Sequence, residues 1–220
     1  KYLSGAAANP EKPYIVVLGG AKIKGKIELI HHLLNSASNI LIGGKMAFSF
    51  IAAQGKKVGG VKVERSTVNA AKEILALAED KNVQIVLPKD FVTVSDLEKE
   101  DDWQVTPVEN LASDELGLDI GPETCSLFEE IIGNAKSILW NGPMGVFEVD
   151  EFSYGTKEIT NAIAEMEVYS IVGGGDSVNA INKFSNVDKF NHVSTGGGAS
   201  LEYLEGKALP GVNIYNQLII

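Results

Sequence analysis

The sequence predicts an α/β domain built on one mainly parallel sheet, with a small β excursion around residues 88–120. Three observations carry this reading. Short apolar runs recur along the chain, each run stops at glycine or proline, and segments of helical period lie between them. The runs are YIVVLGG (14–20), NILIGG (39–44), VQIVLPKD (83–90), SILWNGP (137–143), YSIVGGG (169–175) and NHVSTGGG (191–198). Continuous Val/Ile/Leu runs of this kind suit strands buried on both faces, which is the setting of a parallel sheet. Between them, Ile27, Ile30, Leu33 and Leu34 share one helical face; so do Val68, Ala71, Ile74, Leu75 and Ala78, and later Ile159, Ile163 and Met166. Strand and helix alternate at about 25–45 residues, the spacing of stacked βα units.

The stretch 88–120 breaks this rhythm. It is acidic and poorly periodic, and Val92, Val94, Val105 and Val108 are placed in short strands beside the main sheet. No repeat or low-complexity tract occurs. The opening KYLSGAAANPEKPY reads as the tail of a helix entering a connector, so residues 1–13 are expected to be the end of an interdomain helix and 14–220 a single domain. The absence of an initial Met makes a piece of a longer protein the expectation.

Composition narrows the partners. The chain has 220 residues and a net charge of −10. A surface this acidic excludes nucleic acid and anionic membrane as general partners, while a local basic cluster can still hold a phosphate. Cys125 is the only cysteine, which excludes an internal disulfide and argues against a cysteine metal site. Neither a signal peptide nor an 18-residue apolar span occurs.

Parallel strands end on one side of their sheet, so the glycine clusters converge on its carboxyl edge, where open α/β folds place ligands. Four stretches there could carry chemistry. In LGGAKIKGKIELI (18–30), Lys22 and Lys26 stand four apart at an expected helix start, with Lys24 nearby. Glycines, free N–H groups and lysines together make a phosphate site. The same stretch imitates a P-loop from Gly20 to Lys26, but Ile27 occupies the position that needs Ser or Thr for magnesium. In GGGDS (173–177), the glycine amides can face a ligand, and Asp176 reads either as a helix N-cap or as a magnesium ligand against nucleotide phosphates. STGGGASLEYL (194–204) again offers bare N–H groups to an oxyanion. In WNGPMGVFE (140–148), a shaped turn carries an apolar wall, Val146 and Phe147, and an acceptor, Glu148, suited to ribose hydroxyls. His31, His32, Cys125, Trp103 and Trp140 read as surface or packing residues.

These motifs, with IGGxMAFSF and GLDIGPET, follow the order and spacing of phosphoglycerate kinase, and the resemblance spans essentially the whole chain. The chain resembles the carboxyl-terminal, nucleotide-binding half of that enzyme, whose members run to about twice this length. The resemblance implies a Rossmann-like doubly wound three-layer α/β/α fold and transfer of a phosphoryl group between 1,3-bisphosphoglycerate and MgADP. ATP/ADP and Mg2+ are the implied ligands. Lys26 and Lys22 resemble the phosphate-facing lysines. Gly20, Ala21, Gly44 and Gly117 resemble positions around adenine; Gly142, Met144 and Phe147 line the same pocket, and Glu148 resembles the ribose ligand. Gly174, Gly175, Asp176 and Ser177 resemble the phosphate and magnesium turn, with Asp176 toward the metal. Gly196 and Gly197, with Gly175, resemble donors that balance charge on the moving group. The phosphoglycerate would bind through an amino-terminal half, and the full-length protein would be a cytoplasmic, glycolytic monomer. Three positions depart from the pattern: Gly25 replaces a small polar or acidic residue, Lys45 a glycine beside the base, and Ser177 a threonine. A nucleotide-binding module without transferase activity and a P-loop hydrolase stay open as alternatives.

Overall fold

The computed structural model describes residues 10–96 and 102–194. In chain order the elements are β1 (Tyr14–Leu18), α1 (Ile27–Leu33), β2 (Asn39–Ile42), α2 (Ala47–Ala53), α3 (Arg65–Asp80), β3 (Gln84–Val86), β4 (Asp90–Val94), β5 (Trp103–Pro107), β6 (Leu116–Ile120), α4 (Pro122–Gly133), β7 (Ser137–Asn141), α5 (Tyr154–Ala164), β8 (Tyr169–Gly173), α6 (Gly175–Phe184) and β9 (His192–Ser194). The apolar runs form strands for the expected reason. All five residues of β1 and all five of β7 are buried, so these strands can sit only in the middle of a covered sheet.

Six strands pair in parallel in the order β3-β2-β1-β7-β8-β9. From β1 the chain first builds outward through β2 and β3. It then returns to the other side of β1 and builds outward through β7, β8 and β9. Right-handed crossovers running in opposite directions lay their helices on opposite faces. The helices accordingly pack in two groups: α3 against α1 and α2, and α5 against α4 and α6. The result is the expected three-layer, doubly wound arrangement, with its strand order reversing between β1 and β7.

The excursion forms a separate antiparallel sheet, β5-β4-β6. Val92 and Val94 lie in β4 and Val105 in β5, but Val108 does not extend a strand. It is buried in the single turn of 3-10 helix over Val108–Asn110, directly after Pro107, which has no N–H to continue the ladder. Trp103, read as packing, is 47% exposed on β5. Trp140, by contrast, is fully buried. His32 is exposed as expected, whereas His31 is half-buried with an enclosed Nε2.

The small sheet is tied to the large one through the start of α4. The Asp90 carboxylate at the head of β4 accepts hydrogen bonds from the amides of Glu123 and Thr124 and from the Thr124 hydroxyl, at 2.6–3.0 Å. A strand carboxylate thus caps a helix distant in sequence, at the end where the helix dipole favours negative charge. Replacing Asp90 by Ala leaves those buried donors without acceptors, so a loss of about 2–3 kcal/mol is expected from urea unfolding. Asp90→Asn, which keeps one acceptor, should lose less.

Candidate functional site

The loops after β1, β2, β7 and β8 meet above the point where the strand order reverses. Their glycines pack against one another before they face any ligand. The Gly19 amide donates to the Asn141 carbonyl at 3.0 Å, Gly20 to Pro143 at 2.8 Å, Gly43 to Leu18 at 2.8 Å and Gly44 to Met144 at 2.9 Å. The expectation that these corners bare their amides is therefore corrected. Most are spent holding corner to corner, because the loops lie too close for side chains. Gly142 shows the constraint: its φ is +96°, and a Cβ there would stand 2.5 Å from the Gly19 carbonyl oxygen. In the β8 turn, the Gly174 amide likewise donates to Ser194 at 3.2 Å.

Lys26 fastens this junction. Its ammonium donates to the Gly19 carbonyl at 2.6 Å and to the Asn141 carbonyl at 2.9 Å, one from each side of the strand reversal. An ammonium has three protons, so one remains for a ligand. Burial lowers the Lys26 pKa to about 8, with the Asp176 charge opposing that fall. Lys22 is exposed in the loop before the helix rather than on its face, since the first turn of 3-10 helix begins only at Lys24 and α1 at Ile27. The two lysines nevertheless line the same cavity.

That cavity, of about 370 Å³, also takes in Gly20, Ala21, Gly142, Gly174, Gly175, Asp176 and Ser177. A second cavity of about 270 Å³ adjoins it, lined by Gly20, Ala21, Gly44, Gly117, Met144, Glu148 and Asp176 among others. Gly20, Ala21, Pro143 and Asp176 are common to both. The first is lysine-bearing; the second is floored by Phe48 and Phe91, whose rings stack at 4.4 Å. Gly117 lies against this floor, where a Cβ would meet the Phe48 ring at 2.5 Å.

Two expected site residues are placed differently. Gly142 lines the lysine-bearing cavity rather than the aromatic-floored one. Phe147 turns away from both, buried edge-on against Phe184 with ring centroids 6.4 Å apart, because the turn that exposes Val146 buries its neighbour. The Ser177 hydroxyl is buried and accepts the Gly142 amide at 2.7 Å, so it braces the β7 loop. Gly196 and Gly197 lie outside the described residues. Asp176 does not cap α6; the N-cap is Gly174, and the Asp176 carboxylate is exposed at the rim of both cavities. One accessible carboxylate beside a polyphosphate is what Mg2+ uses, so the residues present fit that ion together with phosphate oxygens. No cluster of metal ligands sufficient by itself occurs among the described residues.

The P-loop imitation fails in three dimensions. The Gly20 amide is taken by Pro143, Gly25 faces open space, and Ile27 packs on the core. Lys45 lines the apolar cavity at its mouth and remains exposed.

Sequence reasoning missed Asn141, the aromatic floor and Asp119. Asn141 gives its carbonyl to Lys26 and Gly19, and its side-chain amide donates to the Gly173 carbonyl at 2.8 Å, so one residue joins three loops. It sits within a motif singled out for its neighbours. Asp119 is buried in the wall of the apolar cavity and accepts the Gly155 amide at 2.6 Å and the Ile120 amide at 2.9 Å.

Burial pushes the Asp119 carboxyl up to about 7, and the two amides limit the rise. A raised carboxyl pKa means that the folded chain binds the proton more tightly than the unfolded chain. The associated stability is complete below the unfolded pKa, near 4, and is lost as pH climbs through about 7. Relative to Asp119→Asn, the native chain should therefore lose on the order of 2 kcal/mol between pH 5 and pH 8. Paired urea titrations check this, and a constant difference between the two proteins would contradict it.

Comparison with known proteins agrees with this geometry. The family model described as Phosphoglycerate kinase matches residues 1–207. The phosphoglycerate kinase of Finegoldia magna is 49% identical over 212 residues, covering 96% of this chain and 54% of that protein. That of Thermosipho africanus is 52% identical over 216 residues, with 96% and 54% covered. The structure of phosphoglycerate kinase from Coxiella burnetii superposes with a TM-score of 0.92 at 40% identity, over 97% of this chain and 55% of that one. The chain spans about half the length of these relatives. With a family match over nearly its whole length, the chain belongs to the phosphoglycerate kinase family.

Proposed function

We propose that this chain is the nucleotide-binding half of a phosphoglycerate kinase. Residues 1–13 then form the connector and 14–220 the nucleotide domain. Joined to a half that holds the phosphoglycerate, it passes a phosphoryl group from 1,3-bisphosphoglycerate to MgADP, giving 3-phosphoglycerate and MgATP. The observation that carries the reading is the pairing of two cavities across Gly20 and Ala21, one aromatic-floored and one lysine-lined. A base lies against Phe48, Phe91 and Gly117, Glu148 accepts from ribose, and the phosphates run past Ala21 toward Lys22 and Lys26. The cytoplasm and a monomeric full-length protein are part of this reading. The described helices include none long and apolar enough to cross a membrane.

Phosphoryl transfer needs alignment and positive charge on spread-out oxygens more than covalent help. Lys26 brings a fixed ammonium whose orientation is set by two carbonyls before any ligand arrives. The first turn of α6 has no side-chain cap, and its Gly175 and Asp176 line the same cavity, so their amides are the donors available to a phosphate. Mg2+, when bound through Asp176 and phosphate oxygens, supplies further neutralising charge. Gly196 and Gly197 keep the charge-balancing role that the resemblance gives them. The only arginine, Arg65, lines neither cavity, so binding of the anionic bisphosphoglycerate depends on the other half, and this chain alone is expected to bind nucleotide without turnover.

Removing Lys26 deletes a preorganised donor, worth about 3–4 kcal/mol of barrier. In the intact enzyme, Lys26→Ala should lower kcat by about 10²–10³ while the Kd for ADP changes far less. A kcat within twofold of the parent removes Lys26 from this role.

The depressed Lys26 pKa gives a second test. Bound phosphate favours the ammonium, so ADP affinity should be level below pH 8 and fall as pH rises above the free value of about 8. Lys26→Arg, which keeps its charge, should flatten that fall in calorimetric titrations.

A further inference from the structure

Beside the nucleotide cavities lies a third, of about 420 Å³, on the outer flank of the loop after β1. Its walls carry Lys22, Lys24, Lys45 and Lys62 against a single carboxylate, Glu64. Lys24 holds Glu64 at 2.6 Å, so the formal excess is three positive charges in a chain whose net charge is −10. The cavity floor is polar. The buried Ser49 hydroxyl donates to the Thr67 hydroxyl at 3.1 Å, which itself donates to the Glu64 carbonyl at 2.7 Å. Like charges gathered on one concave surface raise the local positive potential and draw counter-ions of opposite sign. Nothing in the nucleotide reading uses Lys24, Lys62, Ser49 or Thr67.

We propose that this flank cavity is a second anion site, for compact oxyanions of the polyphosphate class. It shares Ala21 and Lys22 with the phosphate cavity and Ala21 and Lys45 with the base cavity. An anion held here draws on the Lys22 charge that nucleotide phosphates also use, so each ligand weakens the other by one common factor. The site thereby tunes nucleotide affinity to the concentration of free polyphosphate.

Inorganic pyrophosphate is the probe. It is titrated calorimetrically into the intact protein saturated with ADP and 3-phosphoglycerate, in metal-free buffer at fixed ionic strength. One further equivalent should bind. The double variant Lys24→Ala/Lys62→Ala, checked for an unchanged thermal transition, should weaken that binding at least fivefold and leave the Kd for ADP within twofold. The proposal fails if saturated parent protein takes up no pyrophosphate, if the double variant binds it as tightly, or if ADP affinity falls in step, which would assign these lysines to the nucleotide. Should the parent bind no ADP at all, the nucleotide reading fails instead. The variant's effect on pyrophosphate binding to the unsaturated protein then still decides the flank site.

Discussion

One ammonium group spans the seam on which this domain is organised. The sheet grows in two directions from β1, and past the last β1–β7 pair the strand ends are held by the Gly19 and Gly20 amides, which donate to Asn141 and Pro143. Lys26 adds a side-chain clasp over them, with one carbonyl from the loop after β1 and one from the end of β7. Because both partners are main-chain atoms, any motion of either strand end is felt at the ammonium. The residue that clasps the two strand ends also lines the lysine-bearing cavity.

That arrangement carries a cost and a use. Enclosing a cation disfavours its charged form, which is why the Lys26 pKa falls. The carbonyls partly offset the lost hydration and leave the charge underemployed. Such a group gains more from an arriving phosphate than a freely hydrated lysine does, since its desolvation has already been met by folding. Lys22, exposed on its loop, makes the opposite compromise: it keeps its hydration and is held by no such pair of carbonyls.

The large sheet was legible because interior parallel strands leave an unmistakable trace, a continuous apolar run with no polar alternation. The convergence of the glycine corners followed from parallelism alone. What those glycines do was not legible. Their amides read as ligand donors, yet Gly19, Gly20, Gly43, Gly44 and Gly174 donate to neighbouring loops, and a pattern within one segment says nothing about the carbonyl of another. The same limit hid Asn141, whose value lies in touching three loops at once, and Asp119, whose surroundings come from β6 and α5. Phe147 was misplaced for a related reason: motif membership fixes a position along the chain but not the direction of a side chain. The aromatic floor joins the helix α2 to β4 of the small sheet, elements far apart in sequence, and only packing reveals the pair.

The register of the central strands has a temporal consequence. Tyr14 lies beside Ser137, and the whole of β2 through α4 intervenes between them. Contacts so far apart in sequence are slow to form, because a long loop must close before any of them gives a return. On a ribosome, β1 waits for most of the domain to emerge before its second neighbour exists. The early product is a three-stranded sheet, β3-β2-β1, with the inner edge of β1 still bare, and the seam beside it closes only once β7 has emerged, which makes that closure a late act of folding.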